Sequence, residues 1–219
     1  MLTEQLKEEA IFQSKLSHIG EIYKSFKSIR PDGNCFYRAT FVGLIQNFVN
    51  QGIVNQSKDF FESIAVECKS EAYDSFSIDE FQESLNEQLD YLIEQPDPQT
   101  FLDTEMLADP SVDGYIMAFM RCACGTALKK WSEEFTAFLP EPYTSIQAFC
   151  RSEVDPMYRD ADHLQVAALS KILHTTIRIV YLDKSPGEEA NIINFGDESN
   201  DCTVHLLYRP GHYDLLFPE

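Results

Sequence analysis

The sequence predicts an α/β protein whose sheet comes mainly from the C-terminal third, with helices packed around it. Two observations support this. Apolar residues recur at helical spacing in successive segments up to about residue 152. Beyond residue 160, β-branched runs separated by turn residues replace that pattern. A chain of 219 residues, 44% of them hydrophobic, is expected to fold as a single domain over residues 1–219.

The N-terminal half is predicted to be helical. Residues 3–28 form an amphipathic pattern whose apolar positions are Leu6, Phe12, Leu16, Ile19, Tyr23 and Phe26. We expect this N-terminal arm, residues 1–30, to pack on the rest of the domain through that apolar face. After a turn at Pro31–Asn34, the segment Cys35–Asn50 is apolar on most sides, which predicts a buried helix. Further helical patterns cover 57–70, 78–94, 111–130 and 144–152.

The C-terminal third supplies the predicted sheet. A helix over His163–Leu173, capped by Asp160 or Asp162, comes first. Four runs rich in β-branched residues are predicted strands: 175–182, 191–195, 203–208 and 212–217. Pro210-Gly211 separates the last two strands and predicts a hairpin in which the glycine takes a positive φ.

The net charge of −19, from 17 basic and 36 acidic side chains, bears on the classes of partner. A strong negative field repels phosphate backbones and anionic lipid surfaces, so we expect neither nucleic-acid binding nor membrane binding. The N-terminal arm holds five basic and four acidic side chains, so the negative charge belongs to the rest of the chain. It suits a basic partner. The alternative is that acidity simply keeps the protein in solution.

Location and cysteine chemistry follow from what the sequence contains. No stretch approaches the ~20 apolar residues of a membrane span, and the N-terminus lacks the basic start and apolar core of a signal peptide. We therefore expect a cytoplasmic protein, also compatible with the nucleus, whose six irregularly spaced cysteines are thiols. Cys122-x-Cys124 has no second Cys or His pair, which favours core packing over a metal site. No metal or cofactor is expected.

Cys35 is the candidate nucleophile. It lies between a tight turn and the start of a buried helix, where backbone N–H groups and the helix dipole stabilise a thiolate. Gly33 allows the preceding loop to fold sharply, and the amides of that loop, with that of Cys35, can form an oxyanion hole. Position alone, however, favours a buried structural cysteine. A catalytic role needs a base.

His212 is the strongest candidate for that base among the five histidines. It begins a predicted strand, and Asp214, two residues later, shares its face of the strand. The carboxylate can then orient the imidazole and stabilise its charged form, as the third member of a catalytic triad does. Of the other histidines, only His163, at the start of a helix beside acidic residues, is expected to line a cleft. The residues themselves leave a Cys-His-Asp hydrolase and a structural cysteine about equally open.

Two longer motifs point further. The run Pro31-Asp32-Gly33-Asn34-Cys35-Phe36-Tyr37-Arg38-Ala39 resembles the nucleophile motif of the otubains, the ovarian-tumour-domain (OTU) deubiquitinases. Tyr208-Arg209-Pro210-Gly211-His212-Tyr213-Asp214 resembles their catalytic-histidine motif. Glu153–Met157 and Asp162-His163 occur between them in the expected order. The similarity runs from about residue 20 to the C-terminus, although 50–140 agrees in helical pattern more than in residue identity.

The resemblance implies an OTU-type cysteine-protease fold of the α+β kind, in which a small central sheet lies between helical layers. It also implies thiol-dependent hydrolysis of the isopeptide bond at the ubiquitin C-terminus. This reaction passes through a thioester and needs no metal. By position in the motifs, Cys35 is the nucleophile, His212 the general base and acid, Asp214 its orienting residue, and Asp32 part of the oxyanion loop through its backbone. The same resemblance suggests substrate contacts from the residues Gly33, Asn34, Asp162, His163 and Tyr213.

The resemblance also gives expectations about partners. Ubiquitin and polyubiquitin chains are the expected partners, with ubiquitin-conjugating enzymes as a second class, and the protein is expected to act as a monomer. The arginine-bearing ubiquitin tail would suit the acidic body of the domain. A different Cys-His-Asp enzyme, and a non-catalytic protein that binds and inhibits ubiquitin-loaded conjugating enzymes, remain as alternatives.

Overall fold

A mixed five-stranded sheet organises the part of the chain that the computed structural model describes, residues 2–70, 73–197 and 202–218. Its strands are β1 (Tyr23–Lys27), β2 (Thr176–Tyr181), β3 (Asn191–Phe195), β4 (Thr203–Arg209) and β5 (His212–Pro218). Their order across the sheet is β1-β5-β4-β2-β3. Only the β2–β4 pair is parallel, and the other neighbours are antiparallel. The α/β fold predicted from the sequence is confirmed.

The first α-helix precedes β1, and the other α-helices of the described residues lie between β1 and β2. They are α1 (Leu2–Ile22), α2 (Cys35–Asn50), α3 (Ser57–Ser70), α4 (Ser75–Glu94), α5 (Pro98–Thr104), α6 (Pro110–Lys130), α7 (Ser132–Phe135), α8 (Ile146–Phe149) and α9 (His163–Ile172). Short 3₁₀ turns occupy Val54–Gln56 and Thr136–Phe138, and a π-helical turn occupies Cys150–Val154. No helix among the described residues is both long and apolar enough to cross a membrane.

The sheet buries both of its faces, because successive side chains of a strand point to opposite sides. One set packs with α2, α6 and α9 in the main core: Ile179, Leu206 and Leu215. The alternate set packs in a smaller cluster with α1: Val180, Leu207 and Leu216. Gly43 lets α2 approach the sheet closely, since a Cβ there would lie 2.7 Å from a Val204 methyl group. This close contact holds α2 directly against β4 and β5.

The N-terminal arm lies against the second face of the sheet. Ile19 and Tyr23 are buried in the smaller cluster. The Lys15 ammonium is 1% exposed and donates to the Asp183 carboxylate at 2.6 Å and to Ser185 Oγ at 2.7 Å, in the loop after β2. A buried ammonium is tolerated only when it is paired in this way.

The predicted helix over residues 3–28 is wrong in its last turns. Residues 23–27 form β1, which pairs with β5 at the edge of the sheet, because the hydrogen bonds offered by β5 outweigh the local helical pattern. The Tyr23 hydroxyl also binds His205 Nδ1 at 3.0 Å. Of the predicted apolar face, Leu16 is 44% exposed, and the side chain of Leu6 lies outside the described residues.

Two further boundaries differ from the predictions. The loop predicted around the prolines at 96 and 98 contains α5, in which Pro98 takes the first turn and the Asp97 carboxylate caps the Thr100 N–H. The helix predicted over 144–152 is a short α-helix followed by the π-helical turn. Of the two predicted caps for α9, Asp162 is the one that caps it, in a capping box with Gln165.

Candidate active site

Cys35 is the first residue of α2 and is 2% exposed. The loop before it turns at Gly33, which has φ +74°. A Cβ at that position would lie 2.4 Å from the backbone carbonyl of Tyr158, so only glycine fits between the two segments. The loop over residues 32–34 is thereby wedged against the chain at Tyr158, and its shape fixes where α2 begins.

The Asp32 carboxylate braces this loop from within. It accepts hydrogen bonds from the Asn34 N–H at 3.0 Å, from Arg38 Nη1 and Nη2 at 2.9 Å each, and from Arg30 Nε at 2.8 Å. Arg38 and Arg30 also donate to Asp113 on α6. Burial alone would raise the pKa of Asp32, but these hydrogen bonds outweigh it and lower the pKa to about 2. The carboxylate therefore stays ionised and holds the loop shape.

A second guanidinium reaches the same loop from α6. Arg121 donates to Asn34 Oδ1 and to the Gly33 carbonyl oxygen. Arg121 was not among the candidate site residues predicted from the sequence. The available signal was a single arginine inside the otherwise apolar run of the 111–130 helix, where a charge must have a specific partner.

His212 and Asp214 lie together at the start of β5. The β4–β5 turn consists of Pro210 and Gly211, with φ +77° at the glycine, and pairs Arg209 with His212. Asp214 Oδ1 binds His212 Nε2 at 2.9 Å. Since Nε2 is thus engaged, Nδ1 is the ring nitrogen left for proton transfer. It is buried, and no hydrogen-bond partner among the described residues reaches it.

Asp214 is itself held in place by two further donors. The Ile29 N–H donates to Oδ1 at 2.9 Å and Arg209 Nη2 donates to Oδ2 at 2.6 Å. Burial would raise the pKa of Asp214, but the hydrogen bonds from Ile29, His212 and Arg209 more than offset it, and the pKa lies below its usual value. The residue remains an anion and can stabilise an imidazolium at His212.

The Cys35 sulfur lies beside the start of β5. Burial raises the pKa of the thiol above its ordinary value, and the carboxylates of Asp160 and Asp32 raise it further. Hydrogen bonds from the backbone N–H groups of Tyr213 and Phe36 to the sulfur lower the pKa of the thiol. The Phe36 and Tyr213 rings meet edge to face at 5.4 Å, which joins the start of α2 to β5. Because the thiol is protonated at neutral pH, this site needs a base.

A cavity of about 260 Å³ opens on the sulfur. Cys35, Gly211 and several aromatic and acidic side chains line it, among them Asp160, Asp162, His163, Tyr181, Tyr208 and Tyr213. Three of the five predicted substrate-contact residues therefore line the cavity: Asp162, His163 and Tyr213. The other two, Gly33 and Asn34, lie in the loop that supports Cys35 and are not among the residues lining the cavity.

His163 is fixed at the cavity wall. Its Nε2 lies 2.8 Å from the Tyr181 hydroxyl and its Nδ1 lies 2.8 Å from Asp162 Oδ1. A larger cavity of about 640 Å³ shares Asp160, Asp162 and His163 with the first, and its other lining residues are mostly apolar: Phe135, Phe138, Pro140, Tyr143, Phe149, Leu164, Ala167 and Phe195. An apolar groove therefore leads directly to the thiol cavity.

The remaining cysteines lie away from this chemistry. Cys124 is buried and its thiol points at the Gln165 carbonyl oxygen at 3.6 Å. Burial raises the pKa of Cys122 to about 12, which makes it a poor metal ligand. Within the described residues, no group of three or more His, Cys, Asp or Glu side chains is arranged to hold a metal ion.

The arrangement around Cys35 suits acyl transfer. A thiol at a helix N-terminus, an imidazole with one free nitrogen and a carboxylate on the other nitrogen are the parts that such a reaction uses. Three tyrosine side chains line the cavity that opens on the sulfur.

This chain resembles known proteins over nearly its whole length. The family model "Peptidase C65 Otubain" matches residues 1–218. "Ubiquitin thioesterase OTUB1" of Homo sapiens is 31% identical over 223 residues, which cover 98% of this chain and 78% of that protein. "Ubiquitin thioesterase otubain-like" of Caenorhabditis elegans is 32% identical over 216 residues, which cover 95% of this chain and 74% of that protein.

Solved structures match equally well. The complex of ceOTUB1 with ubiquitin aldehyde and UBC13~Ub has a TM-score of 0.80 at 29% identity, covering 96% of this chain and 86% of that one. The complex of h/ceOTUB1 with ubiquitin aldehyde and UBCH5B~Ub has a TM-score of 0.82 at 29% identity, covering 96% and 82%.

Proposed function

This chain belongs to the otubains, the peptidase C65 family of ubiquitin thioesterases, and from that membership we propose that Cys35, His212 and Asp214 are its catalytic triad. The substrate class is ubiquitin joined through its C-terminal glycine to a lysine ε-amine. Ubiquitin and polyubiquitin chains are therefore the proposed partners, and no cofactor takes part.

The first half-reaction forms a thioester. His212 Nδ1 takes the Cys35 proton, and the thiolate attacks the carbonyl carbon of the ubiquitin C-terminal glycine. Backbone N–H groups of Cys35 and Gly33 stabilise the resulting oxyanion, since the N–H groups of Asp32 and Asn34 are bonded to the Arg30 carbonyl oxygen and the Asp32 carboxylate. The intermediate collapses when the imidazolium gives its proton to the lysine nitrogen, which leaves as an amine. Asp214 stabilises the imidazolium throughout.

Water completes the cycle. His212 takes a proton from a water molecule, which attacks the thioester carbonyl carbon, and the same oxyanion contacts stabilise the second tetrahedral intermediate. Cleavage of the C–S bond releases the ubiquitin carboxylate and returns Cys35 as a thiol.

One observation carries this proposal. His212 has Nε2 bonded to an ionised, firmly held Asp214 while Nδ1 is buried without a partner among the described residues, and the adjacent Tyr213 N–H acts on the Cys35 sulfur. A histidine kept for structural reasons would be expected to satisfy both ring nitrogens when buried. A general base for the Cys35 thiol requires an unbonded ring nitrogen of this kind.

Reaction with ubiquitin that carries a C-terminal electrophile tests the proposal. We expect one covalent adduct per molecule, located at Cys35 by peptide mass spectrometry. Cys35→Ala should give no adduct, whereas the matched variant Cys202→Ala, which removes another thiol partly accessible to solvent, should react as the wild type does. An adduct that persists in Cys35→Ala, or one that is lost in Cys202→Ala, would rule out the assigned nucleophile.

Charge and shape around the cavity support ubiquitin as the ligand. Asp160 and Asp162 line the cavity and can attract the arginine-bearing ubiquitin tail. The proposed ligand tail ends in two glycines, whose lack of side chains suits a cavity of about 260 Å³. The adjoining apolar groove, with the exposed ring of Phe138, offers a docking surface for the folded part of ubiquitin.

A second activity is favoured by the relatives in complex with ubiquitin-loaded conjugating enzymes, at a TM-score of 0.80 or above. We propose that this chain also binds such conjugates, independently of cleavage. Cys35→Ala would then still slow ubiquitin transfer from a conjugating enzyme in a reconstituted assay. If inhibition disappears together with the thiol, cleavage alone explains the effect and the binding role is wrong.

The proposed organisation is one catalytic domain over residues 1–219 that includes the N-terminal arm. The burial of Ile19 and the Lys15–Asp183 ion pair support it, since both join the arm to the sheet. The proposed location is the cytoplasm, with the nucleus also suitable, because reducing conditions keep a catalytic thiol in its active form.

A further inference from the structure

Arg121 is a buried guanidinium whose hydrogen-bond acceptors among the described residues are all neutral oxygen atoms. It projects from α6, is 1% exposed, and makes five hydrogen bonds to carbonyl or amide oxygens of described residues. Arg38, by contrast, has two carboxylate partners, Asp32 and Asp113. Burying a charge is expensive even when its donors are satisfied. Arg121 interacts electrostatically with Asp32 but shares no hydrogen bond with a described carboxylate, so its burial calls for a reason.

The hydrogen bonds of Arg121 connect two segments beside the thiol. Nε and Nη2 donate to Asn34 Oδ1 at 2.9 and 2.7 Å, and Nη2 donates to the Gly33 carbonyl oxygen at 2.8 Å. On the other side, Nη1 donates to the Val154 carbonyl oxygen at 2.9 Å and Nη2 to that of Arg159 at 2.7 Å. One planar fork therefore fixes the nucleophile loop against the chain that runs past it.

This contact changes what Asn34 does. Asn34 is the N-cap residue of α2, a position at which asparagine normally accepts a hydrogen bond from a first-turn amide. Its side chain makes no such bond here, and its oxygen instead accepts from Arg121 and from the Tyr158 N–H at 3.2 Å. The first-turn amides of α2 are left without this side-chain acceptor. One of them, the Phe36 N–H, hydrogen-bonds to the Cys35 sulfur and lowers the pKa of the thiol.

The charge also bears on the thiol. The guanidinium carbon is 4.3 Å from the centre of the Tyr37 ring, which covers one of its faces, and the group interacts electrostatically with Asp32 and with Cys35. Away from water, such an interaction is much less screened than at the surface. A fixed positive charge here favours the thiolate and the oxyanion over their neutral precursors.

We propose that Arg121 is a positioning residue for the thiol chemistry, which holds the Asn34 side chain away from the first turn of α2 and provides a buried positive charge beside the loop that precedes Cys35. The inference deepens the proposed function and rests on it for its kinetic consequences. Its effect on the thiol, however, can be measured without ubiquitin.

Three variants separate fork, charge and general stability. Arg121→Gln removes both the charge and the fork, Arg121→Lys keeps the charge but loses the fork, and Arg151→Gln removes an exposed arginine as the control. The first measurement is the rate of Cys35 alkylation by iodoacetamide against pH, followed by mass spectrometry of the Cys35 peptide. The second is kcat and KM for cleavage of a ubiquitin C-terminal fluorogenic amide.

We expect Arg121→Gln to slow alkylation at pH 7 by about tenfold and shift its pH profile to higher pH. Its kcat should fall by about 100-fold with KM within twofold. Arg121→Lys should keep an alkylation profile near the wild type but lose about tenfold in kcat, because lysine cannot bridge the two segments. Arg151→Gln should change neither measurement.

The proposal is overturned if the Arg121 variants fold with alkylation profiles and kcat within twofold of the wild type. If Arg121→Gln does not fold, Arg121→Lys and Asn34→Ala, which removes only the shared acceptor, decide the matter by the same criterion. If even the wild type leaves the ubiquitin amide intact, the proposed function fails on its own, and the alkylation profiles still test the role of Arg121.

Discussion

Replacing Gly33 by alanine tests whether the loop before Cys35 is held as tightly as the structure indicates. A residue other than glycine at φ +74° costs about 1–2 kcal/mol of folding stability. The new Cβ would also lie 2.4 Å from the Tyr158 carbonyl, so the two segments must separate by about 1 Å to reach an ordinary contact of 3.4 Å. A displacement of that size at a reacting group lowers the rate by about 100-fold, equivalent to about 2.7 kcal/mol in the barrier.

Gly52→Ala is the matched control. Gly52 has nearly the same backbone conformation, with φ +68°, but a Cβ there meets no atom within 4 Å. In chemical denaturation, both variants should lose the roughly 1–2 kcal/mol of folding stability that a non-glycine residue costs at positive φ. Only Gly33→Ala should lose about 100-fold in kcat on a ubiquitin C-terminal fluorogenic amide. If Gly33→Ala keeps kcat within threefold of Gly52→Ala, the close contact at Tyr158 does not position the nucleophile and the reasoning is refuted.

Other predictions concern the triad, pH, salt and the N-terminal arm. Cys35→Ala and His212→Ala should each lower kcat for di-ubiquitin by roughly 1,000-fold or more, and Asp214→Asn by less, since it only orients; substantial turnover in Cys35→Ala would refute the triad. Because the folded protein raises the pKa of the Cys35 thiol, alkylation of the free protein should keep accelerating above pH 9, and a plateau reached by pH 8 would contradict that shift. Raising ionic strength should increase KM with little change in kcat, because salt screens the acidic cavity from a basic tail; a KM independent of salt would return the acidity to a role in solubility. Deleting residues 1–10 should leave the preference among differently linked di-ubiquitins nearly unchanged, whereas loss of a strong single preference with the fold intact would show that the arm binds ubiquitin.

Local sequence signals predicted much of this fold because they act over short distances. The buried helix at Cys35, the capped helix at His163 and the hairpin at Pro210-Gly211 each depend on residues within a few positions of one another. The strand at residues 23–27 could not be predicted in that way. Its pattern suits a helix, and only the hydrogen-bonding edge of β5, nearly 200 residues later, makes it a strand.

The candidate site was likewise predictable only where its sequence signals are local. Cys35, His212 and Asp214 could be proposed from spacing and motif, because a nucleophile at a helix start and a His-x-Asp pair on a strand are local patterns. Arg121 and Asp113 lie on a helix about 80 residues from the loop that they hold. Nothing in their immediate sequence says which loop they reach, so the bracing of the site required the structure.

Helix α6 carries both supports of the nucleophile loop. Asp113 and Arg121 are eight residues apart, about 12 Å along the axis, and one holds the loop through Arg38 and Asp32 while the other holds it through Asn34. The same helix packs on α9, whose first residues form the cavity wall. The nucleophile loop and one wall of the cavity are therefore both attached to α6, so a tilt of this helix would displace them together. His212 and Asp214 lie on β5, and α2 contacts both α6 and the sheet, so the separation of base and thiol depends on how α2 packs between the two.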